Sequence, residues 1–108
     1  LLIDCHSFPS DLSDIDICIG YNNDWSSPSD ELLNHIKEYF EKAGYNVGIN
    51  SPYSNSLTPP SIYKYKSFMI EVNKSIYLDK DNRFTSSAYT VSCLLEYLYR
   101  NILFVWNC

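Results

Sequence analysis

Leu1-Leu2-Ile3-Asp4-Cys5-His6 opens the chain: three apolar residues run straight into a carboxylate, a thiol and an imidazole. A short apolar run of this kind reads as a strand covered on both faces, as in the middle of an α/β sheet. The predicted strand covers residues 1–5, and His6-Ser7-Phe8-Pro9-Ser10 reads as the loop at its C-terminal end. Such a strand standing first would expose an apolar face or an unpaired edge. The expectation is a piece of a longer protein whose earlier part is missing.

Outward from that strand, the pattern alternates. Asp16-Ile17-Cys18-Ile19-Gly20 is a second short strand, residues 45–50 a third, and residues 67–74 (SFMIEVNK) a fourth. Between the second and third, Ser27 as N-cap, Pro28 at the first helical position and Asp30 three residues after the cap predict a helix start. Leu32, Leu33, Ile36, Tyr39, Phe40 and Ala43 then recur at helical spacing, and Gly44 supplies the residue that ends the helix. Residues 51–66 form a long connection containing Pro52, Pro59 and Pro60, of a length that is usually functional or mobile. After a charged turn at 79–83, Ser86 or Ser87 caps a last helix carrying Tyr89, Leu94, Leu95, Leu98 and Ile102. The chain then runs into the apolar Leu103-Phe104-Val105-Trp106. Strands alternating with helices, without repeats or linkers, predict one α/β domain over 1–108.

Composition narrows the function. With 108 residues, 45% apolar and 16% aromatic, the chain is no disordered tail. A net charge of −5 argues against nucleic-acid binding, which needs clustered Lys and Arg. No apolar run approaches the roughly 18 residues of a membrane helix, and nothing resembles a signal peptide. Cys5, Cys18, Cys93 and Cys108 lie far apart with no CxxC, which predicts free or buried thiols in a reducing compartment, the cytoplasm.

Two polar residues stand out. Side chains alternate along a strand, so Asp4 and His6 share a face and Cys5 points to the other. A carboxylate beside a histidine fixes its tautomer, a common arrangement around a metal ligand; the other reading is a hydrogen-bonded loop histidine. Glu71 interrupts the apolar run Phe68-Met69-Ile70-Glu71-Val72. Buried, it would hold its proton more tightly and suit a general base or acid. The other reading is an edge-strand glutamate facing water, paired with Lys64 or Lys66. His35 lies beside the polar face of its helix. Alternation separates Cys5 from His6 and argues against a thiol nucleophile. With three glycines there is no phosphate-binding loop, and there is no GxSxG elbow.

Four segments together resemble the N-formylglutamate amidohydrolase family. Leu2-Ile3-Asp4-Cys5-His6-Ser7-Phe8-Pro9 is similar to its D-x-H-S segment, and Asp16-Ile17-Cys18-Ile19-Gly20 to its D-I-x-x-G. Asn50-Ser51-Pro52-Tyr53 is similar to its N-x-P-Y loop, and Ile70-Glu71-Val72-Asn73-Lys74-Ser75-Ile76-Tyr77 to its I-E-x-N-R-x-x-Y strand. The resemblance implies a three-layer α/β/α, phosphorylase/hydrolase-like fold around a mixed sheet, here without its first part. It implies a zinc-dependent hydrolase of the amide bond of an N-formyl or other N-acyl amino acid such as N-formylglutamate. His6 would be the last of three zinc ligands, the other two lying in a segment this chain does not contain, with Asp4 orienting it. Glu71 would be the catalytic glutamate, and Asn50, Pro52, Tyr53, Asn73 and Lys74 would face the substrate. Ser51 and Lys74 stand where the family often has Arg, and Ser54-Asn55-Ser56 replaces a Gly-rich stretch. Lys lacks the two-point carboxylate grip of a guanidinium, which opens the substrate to other acyl-amino acids. Lys64, Lys66, Lys74 and Arg83 are the cations on offer for substrate carboxylates. With two ligands absent, this chain alone is expected to be inactive; the alternative is a catalytically silent α/β fragment or binding module with no metal site.

Overall fold

The computed structural model describes residues 1–106, so Cys108 lies outside the described residues. The elements are β1 (Leu2–Phe8), β2 (Ile17–Gly20), α1 (Asp30–Lys42), β3 (Val47–Ile49), β4 (Ser67–Asn73) and α2 (Ser87–Trp106), with a 3₁₀ turn at Lys74–Ile76. β4 is buried at all 7 of its positions, Glu71 and Asn73 included. It holds the centre of a mixed sheet in the order β1-β4-β2-β3. β1 runs parallel to β4, β2 antiparallel to β4, and β3 parallel to β2.

Among the described residues β1 pairs with β4 alone, so the strand that stands first leaves an unpaired edge, as expected of it, with Cys5, His6 and Ser7 exposed. It also continues past Cys5 to Phe8, because the ladder to β4 persists to Phe8↔Asn73. His6 is therefore a strand residue, not a loop residue.

α1 begins two residues later than its sequence signals suggest. The Asp24 carboxylate accepts from both the backbone and the hydroxyl of Ser26, and Ser27 N donates to Asp24 O, closing a turn ahead of Pro28. Ser29 is then the extended residue whose side chain accepts from Leu32 N. Gly44, at φ 95°, ends the helix: its N–H donates to Glu41 O and that of Tyr45 to Phe40 O.

One face of the sheet carries the core. Ile17, Ile19, Phe68, Ile70 and Val72 pack against Leu32, Leu33, Ile36 and Phe40 of α1 and Val91, Leu98 and Ile102 of α2. Each fully buried aliphatic contributes about 1.5–3 kcal/mol. The Tyr39 hydroxyl donates to Leu94 O at 2.7 Å, joining the two helices on that face. The α/β architecture around a mixed sheet is thus as expected. Within the described residues, the loop after β3 covers the other face. No helix among them is long and apolar enough to cross a membrane.

Candidate active site

Alternation along β1 and β4 sends Asp4, His6, Phe8, Met69, Glu71 and Asn73 to the face opposite the helices. The ladders place His6, Glu71 and Cys18 in one row across three strands: His6 pairs with Glu71, and Glu71 with Cys18. His6 Nδ1 lies 3.8 Å from Glu71 Oε1. On its other side, His6 Nε2 lies 2.8 Å from Asp4 Oδ1. The imidazole is thus held between two carboxylates and is still half open to solvent, its side chain 51% exposed against 9% for Glu71.

Burial raises the Glu71 pKa above the usual carboxylate value; His6 pulls it down and the Asp4 charge pushes it further up. Lys64 and Lys66 do not pair with it. Lys64 Nζ stands 4.3 Å over the Trp25 ring, and Lys66 Nζ donates to Trp25 O at 2.8 Å. The edge-strand reading of Glu71 fails because β4 lies between β1 and β2.

The loop after β3 is laid across this face. Asn50, at φ 54°, turns the chain and accepts from Tyr21 N through its side chain. Pro52 follows a cis Ser51–Pro52 peptide and is exposed. The Tyr53 carbonyl accepts from the Cys18 thiol, and its ring packs edge-on against Phe8, centroids 5.7 Å apart. Tyr53 therefore spans from β2 to β1 across the row that holds Glu71. Further on, Leu57 N donates to Asp4 Oδ2 at 3.3 Å.

Asn73 and Lys74 stand apart from the row. The Asn73 side chain donates to Ser13 O and Ile15 O and accepts from Ser75 N, so backbone groups occupy it. Lys74 borders a polar cavity of about 370 Å³ with Ser10, Asp11, Asp79 and Lys80, beyond the C-terminal ends of β1 and β4. Arg83 is exposed in the charged turn, where its N–H donates to the Asp79 carboxylate. A second cavity of about 360 Å³ lies on the helix side of the sheet between Cys5, Ile70, Tyr77, Val91, Leu95 and Tyr99, and His6 borders it too, whereas Glu71 does not.

Among the described residues, no three His, Cys, Asp or Glu side chains are grouped so as to hold a metal ion. His6 offers one imidazole nitrogen and Asp4 its orientation. By themselves these residues do not make a zinc site.

Sequence reasoning missed the part played by Cys18. The signal was present: in Asp16-Ile17-Cys18-Ile19-Gly20, the small residues Cys18 and Gly20 alternate with isoleucines, leaving one face low enough for a backbone to cross.

No curated protein sequence matches the chain. A crystal structure of N-formylglutamate amidohydrolase from Ralstonia eutropha JMP134 shares the fold, with a TM-score of 0.74 and 19% identity. The likeness covers 93% of this chain and 42% of that one, so the chain spans less than half the length of that enzyme. The family model for N-formylglutamate amidohydrolase matches residues 1–78, which contain the whole sheet and the row His6, Glu71 and Cys18. On that match, the chain belongs to the N-formylglutamate amidohydrolase family.

Proposed function

We propose that the protein takes part in hydrolysing the amide bond of an N-formyl or other N-acyl amino acid, such as N-formylglutamate. The observation that carries this is the buried Glu71 carboxylate facing an Asp4-held imidazole. Amide hydrolysis needs a group that takes a proton from water and gives it to the leaving amine. Glu71 suits both halves: burial raises its proton affinity, and its position beside the half-open imidazole leaves a route for water. Asp4 holds Nε2 of His6, so Nδ1 faces Glu71. His6 would be this chain's contribution to a zinc ion, whose chemistry when bound is to bring the pKa of a water to about 7. The remaining donors would come from outside the described residues. Tyr53, Pro52 and Asn50 form the wall of the site, and Lys74, beside the polar cavity beyond the C-terminal ends of β1 and β4, is a cation on offer for a substrate carboxylate. The free thiols Cys5, Cys18 and Cys93 support a reducing compartment, the cytoplasm.

The test is turnover of N-formylglutamate by the full-length protein that contains this chain, with and without Glu71→Gln. The amide keeps the shape but takes no proton, so turnover should fall by about 10²–10⁴-fold at unchanged zinc content. Near-normal turnover would make Glu71 structural. No turnover by the unaltered full-length protein would favour a silent binding module.

A further inference from the structure

Cys18 is the member of the row that the proposed chemistry leaves unused. It is fully buried, stands beside Glu71 in the ladder, and donates to the Tyr53 carbonyl at 3.2 Å. The glycines near it explain how a backbone comes so close. A Cβ on Gly48 would run into the Ser51 carbonyl, and one on Gly20 would meet the Asn55 carbonyl at 2.7 Å. Loop residues 51–55 therefore lie flat on the sheet, with the Cys18 thiol beneath them. Burial pushes the thiol pKa up, backbone groups of Tyr53 and Ser51 pull it back, and the Glu71 charge adds to the rise. The group stays a thiol and keeps its proton to donate.

Beyond Tyr53 the same loop reaches the other edge of the sheet. The Ser56 and Ser67 hydroxyls lie 2.6 Å apart, and Ser67 Oγ donates to Leu57 O at 2.8 Å. Leu57 N then donates to one oxygen of Asp4, whose other oxygen holds His6 Nε2. A chain of contacts thus runs from β2, over β4, to the imidazole on β1. We infer that Cys18 is a positioning residue: its buried thiol pins the loop at Tyr53, so that Leu57 meets Asp4 and the His6 ring is locked in one orientation.

The inference rests on reading Asp4, His6 and Glu71 as the reacting cluster, but its test needs no turnover. In the 108-residue chain, Cys18→Ala should speed hydrogen exchange of the Leu57 amide roughly tenfold, as loss of one hydrogen bond predicts. The ¹⁵N resonances of the His6 ring should move from a single Nε2–H tautomer toward a mixture. Amides of Ile36 and Phe40 in α1 should keep their protection. Cys18→Ser, whose hydroxyl can donate to the same carbonyl, should restore both signals. Unchanged Leu57 and His6 signals in Cys18→Ala would overturn the inference, as would equal loosening of α1. Should Cys18→Ala fail to fold, Leu57→Pro cuts the tie at an exposed residue, and an unmoved His6 tautomer there overturns it too. These shifts together with an inactive full-length protein would sink the amidase reading alone; an active full-length protein without them would sink this inference alone.

Discussion

His6 and Glu71 stand directly opposite each other on neighbouring parallel strands, Nδ1 3.8 Å from Oε1, one half open to solvent and the other buried. A carboxylate in that position is chemically useful because burial makes its charge costly, and the same cost weighs on the fold.

Glu71→Gln should therefore stabilise the chain near neutral pH. The folded-state pKa of Glu71 is raised, so the folded state holds this proton more tightly than the unfolded one. Stability from this group is present below the unfolded value of about 4.3 and is lost as pH rises through the folded value. Removing the charge recovers that loss at pH 7 and gains nothing at pH 4. Urea midpoints for both proteins at the two pH values, with chelator present, check the sign. A destabilised Glu71→Gln at pH 7 would mean that the carboxylate is better paired than its burial suggests.

Zinc should not bind this chain one-to-one at micromolar concentration. A single imidazole lacks the several fixed donors that make structural or catalytic zinc sites tight. Calorimetric titration with zinc should show no stoichiometric event, and chelator should leave the melting temperature unchanged. Tight binding lost in His6→Ala would show that this chain supplies further ligands.

The sequence made part of this arrangement legible. Period-2 alternation put Asp4 and His6 on one face and Glu71 on a face of its own strand, because strand side chains follow that rule whatever lies around them. The apolar face of α1 and its stop at Gly44 were legible for the same local reason. The full burial of β4 was not: a run containing Glu71 and Asn73 looks like an edge, yet all 7 of its residues are covered. Neighbours in the sheet decide that, and they are distant in sequence. The tie from Cys18 to Tyr53 and that from Leu57 to Asp4 join residues far apart in the chain, which no local pattern reports. The start of α1 was displaced by a turn that Asp24 builds with Ser26 and Ser27.

Gly48→Ala tests whether the loop needs its close seat. The new methyl would meet the Ser51 carbonyl and the Ile15 side chain, so backbone has to shift. A cost of about 1–3 kcal/mol is expected, as for other overpacked sites. Urea unfolding measures it, and the amide resonances of residues 51–55 should move with it. A variant as stable as the parent, with the loop unmoved, would show that this approach is slack.

Asn73 separates a structural role from a substrate role. Its side chain is buried, with both amide hydrogens on the Ser13 and Ile15 carbonyls and its oxygen taking the Ser75 N–H. These contacts tie the segment before β2 and the 3₁₀ turn after β4 to the end of the central strand. Asn73→Ala leaves two carbonyls and one N–H without these partners, and each buried group so orphaned costs about 1–3 kcal/mol, less where water reaches it. The variant should lose several degrees or more of melting temperature. Asn73→Asp should also lose stability, because a carboxylate cannot donate to Ser13 and Ile15. If Asn73 instead met substrate, both variants would melt like the parent and weaken binding alone. Thermal denaturation of the two variants, beside the binding of N-formylglutamate, tells these outcomes apart.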